Sequence, residues 1–159
     1  MFKLKIKSIA YIFAAMLFVL DRFLKLALEN GLLSGPHNII GRVLRFNLAN
    51  NPYIAFSLPV NQILIIILDS AIVLILIFYI TRLILAKKWN SPELLPLTFL
   101  TLGATSNVLD RWRFGYVVDY LDLSYFTVFN LADVMIVLSI IYLIFTLNKK
   151  SYVQSGANK

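Results

Sequence analysis

The chain has 159 residues, 60% hydrophobic and only 14% charged, with a formal net charge of +7 and a mean hydropathy of +0.80. Soluble domains carry about a quarter charged residues, so this composition excludes an ordinary globular protein and points to one integral-membrane domain spanning 1–159. The lack of cysteine excludes disulfides, thiolate metal sites and cysteine nucleophiles, and a single histidine, His37, excludes a multi-histidine metal centre within one chain.

The first apolar run covers residues 9–28. A basic stretch precedes it, as in a signal peptide, but Asp21, Arg22 and Lys25 stand near its end where small residues would mark cleavage, so it is expected to be a retained helix. An outer segment, 29–61, is punctuated by Gly31, Gly35, Pro36, Gly41, Asn50, Asn51, Pro52 and Pro59. Within it RVLRFNLA alternates as a half-buried strand does. The second run, 62–80, is apolar throughout except for Asp69. A basic link, 81–93, leads to a weaker third run at 94–109 with Pro96 near its start, where proline is tolerated. A second outer segment, 110–127, contains the β-prone YVVDYL. The fourth run is 128–147, interrupted by Asn130 and Asp133, and 148–159 is expected to be a tail ending in disorder. These runs approach the roughly 20 residues that cross a bilayer.

Lys and Arg flank the runs instead of forming a soluble basic stripe, so nucleic acid is not an expected partner. Nine of them lie on the side of the termini and the 81–93 link, against one acid, Glu93. The other side mixes six with the acids Asp21, Glu29, Asp110, Asp119 and Asp122. The positive-inside rule then puts both termini in the cytoplasm and the acidic side outward. The expected fold is an all-α membrane protein, a four-transmembrane-helix bundle with a small periplasmic or extracellular β-cradle.

Candidate chemistry concentrates in 103–133, GATSNVLDRWRFGYVVDYLDLSYFTVFNLAD, which holds four of the eight acidic residues. A carboxylate within an apolar run is costly, so Asp133 invites a functional reading, with Asn130 on the same helical face. A returning loop could bring Asp119 beside it. Two carboxyls meeting in a dry cleft share one proton, supplying a base for water and an acid for a carbonyl oxygen without metal or cofactor. The blander readings make Asp133 a helix cap or a partner of Arg111, and Asp119 a solvated loop acid. Asn107, Asp110 and Arg111 have spacing that gathers them on one face, with Asp110 as the structural partner of Arg111. Asp21 and Lys25, at i and i+4, read as a helix salt bridge.

SNVLDRWRFGYVVDYLD followed by FNLAD resembles the two C-terminal signatures of the lipoprotein signal peptidases, signal peptidase II. DRFLK resembles that family's Asp-x-x-x-Lys motif, and the stretch from Asn51 to Ser57 resembles its Asn-x-Gly-Ala-Ala-Phe-Ser segment. The four motifs stand in the family's order and cover nearly the whole chain. The resemblance implies that Asp119 and Asp133 are catalytic aspartates, that Asn51, Asn107, Arg111 and Asn130 line the substrate cleft, and that Asp21, Lys25 and Asp110 support it. It implies a bacterial inner-membrane endopeptidase, with its site near the outer face, that cuts prolipoproteins before a diacylglyceryl-modified cysteine. The expected partners are that lipobox precursor and membrane lipid, with no cofactor and a monomeric state. Tyr53 and Ile54 replace the family's Gly-Ala, and Leu102 and Ser106 replace glycines of its Gly-Gly-Ala-x-Gly-Asn stretch, with bulk that bears on cleft width. Asp69 has no counterpart in the family pattern.

Two other readings compete. A serine protease would pair Ser57 with Lys25 as base, which requires an unpaired lysine. A membrane protein that binds lipoprotein precursors without cutting them is motivated by the altered glycines.

Overall fold

The computed structural model describes residues 2–32, 36–52, 61–124 and 126–156, with backbone only at 2–6 and 147–156. Tyr53, Ile54 and Ser57 lie outside the described residues. The elements in chain order are α1 (Phe2–Glu29), β1 (His37–Ile40), β2 (Leu44–Asn51), α2 (Gln62–Leu85), α3 (Leu94–Phe114), β3 (Val117–Leu123), β4 (Thr127–Phe129) and α4 (Leu131–Gly156). The described residues are thus mostly helical with one small sheet.

That sheet is antiparallel throughout, in the order β1-β2-β3-β4. The two strands read from sequence, in RVLRFNLA and YVVDYL, are its central pair, with Ala49 opposite Asp119 and Asn51 opposite Val117. Their pairing joins two segments almost seventy residues apart. Strand β3 also follows α3 directly, through Gly115 at φ 82, and β4 runs into α4. The central strand is therefore anchored to two helix ends.

Several boundaries differ from expectation. Helix α3 extends to Phe114 instead of ending at 109, so Asp110 and Arg111 are helical. Val128 and Phe129 belong to β4, and α4 starts at Leu131, which puts Asp133 in its first turn. At the other end α4 continues to Gly156. Extending a formed helix costs little, and neither glycine nor proline interrupts it before Gly156.

Helix α3 is the central helix, packing on α1, α2 and α4. Its buried positions Leu94, Leu97 and Thr101 lie on one side in the first half, and Gly103, Ser106, Asn107 and Asp110 on the opposite side in the second, as a helix with neighbours on several sides requires. Gly103 makes the α3–α4 contact possible: a Cβ there would sit 2.6 Å from the Ala132 carbonyl oxygen and 3.0 Å from Ile136 Cγ1. The hydroxyls of Thr98, Thr101 and Thr105 donate to carbonyls four residues back, so they add no unpaired polar group.

The apolar surface is extensive. Leu74, Ile75 and Phe78 on α2 are each about two-thirds exposed, and Met16, Val19 and Phe23 on α1 nearly so. Soluble monomers rarely carry contiguous patches of this kind. Among the described residues α2 alone is long and apolar enough to cross a membrane by itself. The apolar part of α4 is shorter, Leu131–Thr146.

Candidate active site

The hairpin of β3 and β4 carries Asp119 back to the start of α4, where Asp133 stands. Asn130, fully buried between them, bonds both. Its Nδ2 donates to Asp119 Oδ1 at 2.7 Å and its backbone N–H to Asp133 Oδ2 at 3.2 Å. Its own Oδ1 accepts from the Asp133 N–H at 2.9 Å. The last two bonds form a reciprocal helix cap. Asn51 Nδ2 reaches Asp119 Oδ2 at 3.0 Å and Asn107 Nδ2 reaches Asp133 Oδ1 at 2.7 Å. All four carboxyl oxygens thus accept a bond, and each donor is a neutral amide.

Neutral donors orient a carboxylate without cancelling its charge. Asp119 is 2% exposed. Burial, followed by the charge of Asp133, pushes its pKa up to about 7, against weaker opposing pulls from Asn51, Asn130 and Lys25. An acid with that pKa holds a proton about half the time at neutral pH. Asp119 is therefore suited to give one up to a substrate.

A second buried group lies beneath. Asp21, Lys25 and Asp110 are each fully buried. Lys25 Nζ lies 3.0 Å from Asp21 Oδ2, 2.8 Å from Asp110 Oδ2 and 2.8 Å from Asn107 Oδ1. Three acceptors thus meet the three N–H groups of an ammonium. Arg22 closes the set with an ion pair to Asp110, so two acids face two bases. Asp21 also accepts from Ser106 Oγ at 2.6 Å, Tyr120 OH at 2.8 Å and the Ala132 N–H at 3.2 Å. Burial and the Asp21 charge both raise the Tyr120 pKa, so the phenol keeps its proton for that bond. One carboxylate on α1 thereby ties together α3, β3 and α4.

Several expectations need correcting. Asp110 does not partner Arg111; it pairs with Arg22 and Lys25, while Arg111 Nη1 pairs with Asp69 Oδ2 on α2 at 3.0 Å. Adjacent helical residues point about 100° apart, so Asp110 faces α1 and Arg111 faces α2. Asp133 does not pair with Arg111 either: its partners are Asn107 and Asn130. The capping reading of Asp133 holds together with its place beside Asp119. Lys25 is far from the unpaired base that a Ser57 mechanism needs. Ser106, a departure from the family's glycine, fills its place with a hydroxyl bonded to Asp21.

Asn107 occupies a junction, touching Lys25, Asn130 and Asp133. With Asp69 and Arg111 it also lines a cavity of about 100 Å³ on its α2 side. Arg22 and Tyr120 were not foreseen as members of the site, and Ser106 was singled out only for its bulk. Tyr120 had a signal, a phenol in a buried strand next to a candidate acid; Arg22 had none beyond its place in the Asp21–Lys25 turn.

A model of the family described as signal peptidase (SPase) II matches residues 13–149. The chain belongs to the signal peptidase II family. Similar family members include the lipoprotein signal peptidase of Moorella thermoacetica, 38% identical over 110 residues that cover 66% of this chain and 69% of that one. The lipoprotein signal peptidase of Streptococcus agalactiae serotype Ia is 32% identical over 148 residues, covering 91% and 94%. Two solved bacterial membrane enzymes, both determined by the in meso method and both 20% identical, share the fold. One superposes with a TM-score of 0.75 over 91% of this chain and 90% of that chain. The other has a TM-score of 0.70, with 88% and 92% covered. Family membership makes this chain a protease of a membrane-enzyme family.

Proposed function

We propose that this protein is an aspartic endopeptidase of the bacterial cytoplasmic membrane that removes the signal peptide from prolipoproteins, cutting before the diacylglyceryl-modified cysteine. One observation carries the mechanism: Asp119 and Asp133 are joined through Asn130, and all their oxygens are held by neutral amides. Family membership supports the choice of substrate.

In the reaction Asp133, a carboxylate fixed by Asn107 and its own cap, takes a proton from water as the water oxygen attacks the scissile carbonyl carbon. Asp119 gives its proton to the carbonyl oxygen, producing a gem-diol. The cycle closes when the gem-diol returns a proton to Asp119, Asp133 protonates the cysteine nitrogen and the C–N bond breaks. Neither metal nor cofactor takes part. Asn51, Asn107 and Asn130 orient the pair, Arg111 lines the substrate cleft, and Asp21, Lys25 and Asp110 hold the helices that carry it.

The topology in this proposal is four spans with both termini cytoplasmic and the dyad near the outer face. The exposed apolar side chains of α1, α2 and α4 and the basic excess at the termini support it. The protein is proposed to act as a monomer.

The test is hydrolysis of a synthetic diacylglyceryl-cysteine lipobox peptide by the purified protein, with Asp119→Asn beside it. Cleavage before the cysteine that disappears in the variant is expected. A folded protein that binds the peptide and leaves it intact would favour the precursor-binding reading. The pH profile should be bell-shaped, with the upper limb falling through about 7 as Asp119 loses its proton.

A further inference from the structure

At the opposite end of the bundle from the aspartates, a cavity of about 380 Å³ opens between α1, the end of α2 and the α2–α3 link. Ile80, Ile84 and Leu94 form the apolar part of its wall, with Ser8, Tyr11 and Thr98 beside them. Lys7, Trp89 and Asn90 supply its polar end. The Lys7 ammonium makes two long contacts, to Asn90 O at 3.4 Å and Asn90 Oδ1 at 3.3 Å. Of its three N–H donors these use at most two. Trp89 is 57% exposed, as expected for an indole at a membrane–water boundary.

The link itself carries a second, independent sign. Helices α1 and α2 end in the same motif, the N–H of the left-handed residue bonding three positions back and the next N–H five back. In α1 that residue is Gly31, at φ +70. In α2 it is Lys87, at φ 55, the one non-glycine residue with positive φ among those described. Glycine would adopt this conformation without steric cost. A lysine under backbone strain, followed by Lys88 and two residues before Trp89, which lines the cavity together with Lys7, points to a requirement for charge. The only acid in the link is Glu93, so Arg82, Lys87, Lys88 and Lys7 leave this end strongly positive.

We infer that this cavity binds one anionic phospholipid, with the headgroup phosphate at Lys7 and Asn90, the exposed lysines of the adjoining Lys87–Lys88 turn adding positive charge, and the start of an acyl chain on Ile80, Ile84 and Leu94. A basic pocket between helices suits an anionic headgroup, and the apolar wall requires the attached chain. This site takes no part in the cleavage chemistry, so it stands or falls separately.

Trp89 is a built-in reporter, because the chain has only one other tryptophan, Trp112. The experiment puts Trp112→Phe protein into phosphatidylcholine vesicles and titrates in phosphatidylglycerol or phosphatidylcholine with brominated acyl chains, which quench indole. Saturable quenching is expected for brominated phosphatidylglycerol at a mole fraction at least ten times lower than for brominated phosphatidylcholine. Each lysine near the headgroup contributes about five-fold in affinity, so Lys7→Gln, Lys87→Gln and Lys88→Gln together should remove roughly a hundred-fold and erase the preference. Lys87→Gly guards against misfolding: it relieves the strained turn, so thermal stability should hold or rise while affinity drops about five-fold. Equal quenching by both lipids, or an undiminished preference in the triple variant, would overturn the inference. So would relief of quenching by millimolar glycerol 3-phosphate, which would mark a site for soluble phosphate. Peptide cleavage by the lysine variants should match the parent protein.

Discussion

Two pairs of aspartates stand side by side in this protein, and they are held in opposite ways. Asp21 and Asp110 meet Lys25 and Arg22, so their charges cancel in place. Asp119 and Asp133 meet only amides, and the nearest strong influence on Asp119 besides burial is the like charge of Asp133. Asp21, Asp110 and Asp119 are all buried, and Asp133 is partly so. What differs is the sign of the neighbours, and that decides whether a buried carboxylate becomes part of the scaffold or an acid ready to move a proton.

Removing charge from each pair should therefore have contrary effects. Asp119→Asn or Asp133→Asn should lower cleavage by about 10³-fold or more, since both proton transfers depend on the pair. The fold should not suffer. In Asp119 the folded pKa of about 7 lies above the ordinary 3.8, so the folded state holds an extra proton between those values. Its burial penalty is absent below about pH 4 and is felt in full above about pH 7, so stability falls as pH rises through that window. At its upper bound the loss is on the order of 4 kcal/mol. Asp119→Asn abolishes this penalty, and its unfolding temperature in detergent should equal the parent's at pH 4 and exceed it at pH 8. A variant that melts lower at both pH values would show that burial does not penalise the Asp119 charge as described.

Lys25→Met is the converse. It leaves two fully buried acids with Arg22 as their only cation, and breaking such a set costs about 3–5 kcal/mol. Thermal unfolding should drop sharply and activity should fall with the folded fraction. Gly103→Ala probes the geometry that the two pairs share. The new methyl meets the Ala132 carbonyl at 2.6 Å, so α3 and α4 must separate. Overpacking of this kind costs about 1–3 kcal/mol. Asn107 lies one turn from Gly103 and Asp133 adjoins Ala132, so activity should fall more than stability does, by up to about 10²-fold. Measuring kcat/KM beside the unfolding midpoint separates the two.

How far this arrangement was legible in the sequence differs by level. The central strands were visible because alternation over six to eight residues is a strong local pattern. Strands β1 and β4, four and three residues long, carry too little pattern to stand out from turns. Asp133 and Asn130 were identifiable as polar residues in an apolar run, where desolvation makes an idle polar group expensive, whereas Asp119, in a loop, and Asn107 were singled out by the family resemblance. Their partners were not. Asp110 and Arg111 are neighbours in sequence yet face different helices, and the Arg111–Asp69 pair depends on how α2 and α3 rotate against each other. Spacing along one helix says which residues share a face, while the identity of the opposing face is set by the packing of the whole bundle.

Ser106 is the finest test of the contrast. A hydroxyl stands here where the family pattern has glycine, and it donates to Asp21 at 2.6 Å while the backbone carbonyl of Ser106 accepts from Arg22 at 3.0 Å. Ser106→Ala removes one of four donors to a buried carboxylate. A bond to a charged group is worth about 1.5–3 kcal/mol, but Lys25, Tyr120 and the Ala132 N–H still serve Asp21. The loss should therefore lie near the lower end, about 1–2 kcal/mol, read as a shift in the denaturation midpoint. The pH at which cleavage falls on the alkaline side should stay where it was, because Ser106 touches the neutralised pair and not the strained one. If that limb shifts along with the midpoint, the two pairs are coupled beyond the weak pull of Lys25 on Asp119, and Asp21 belongs with the reacting aspartates instead of beneath them.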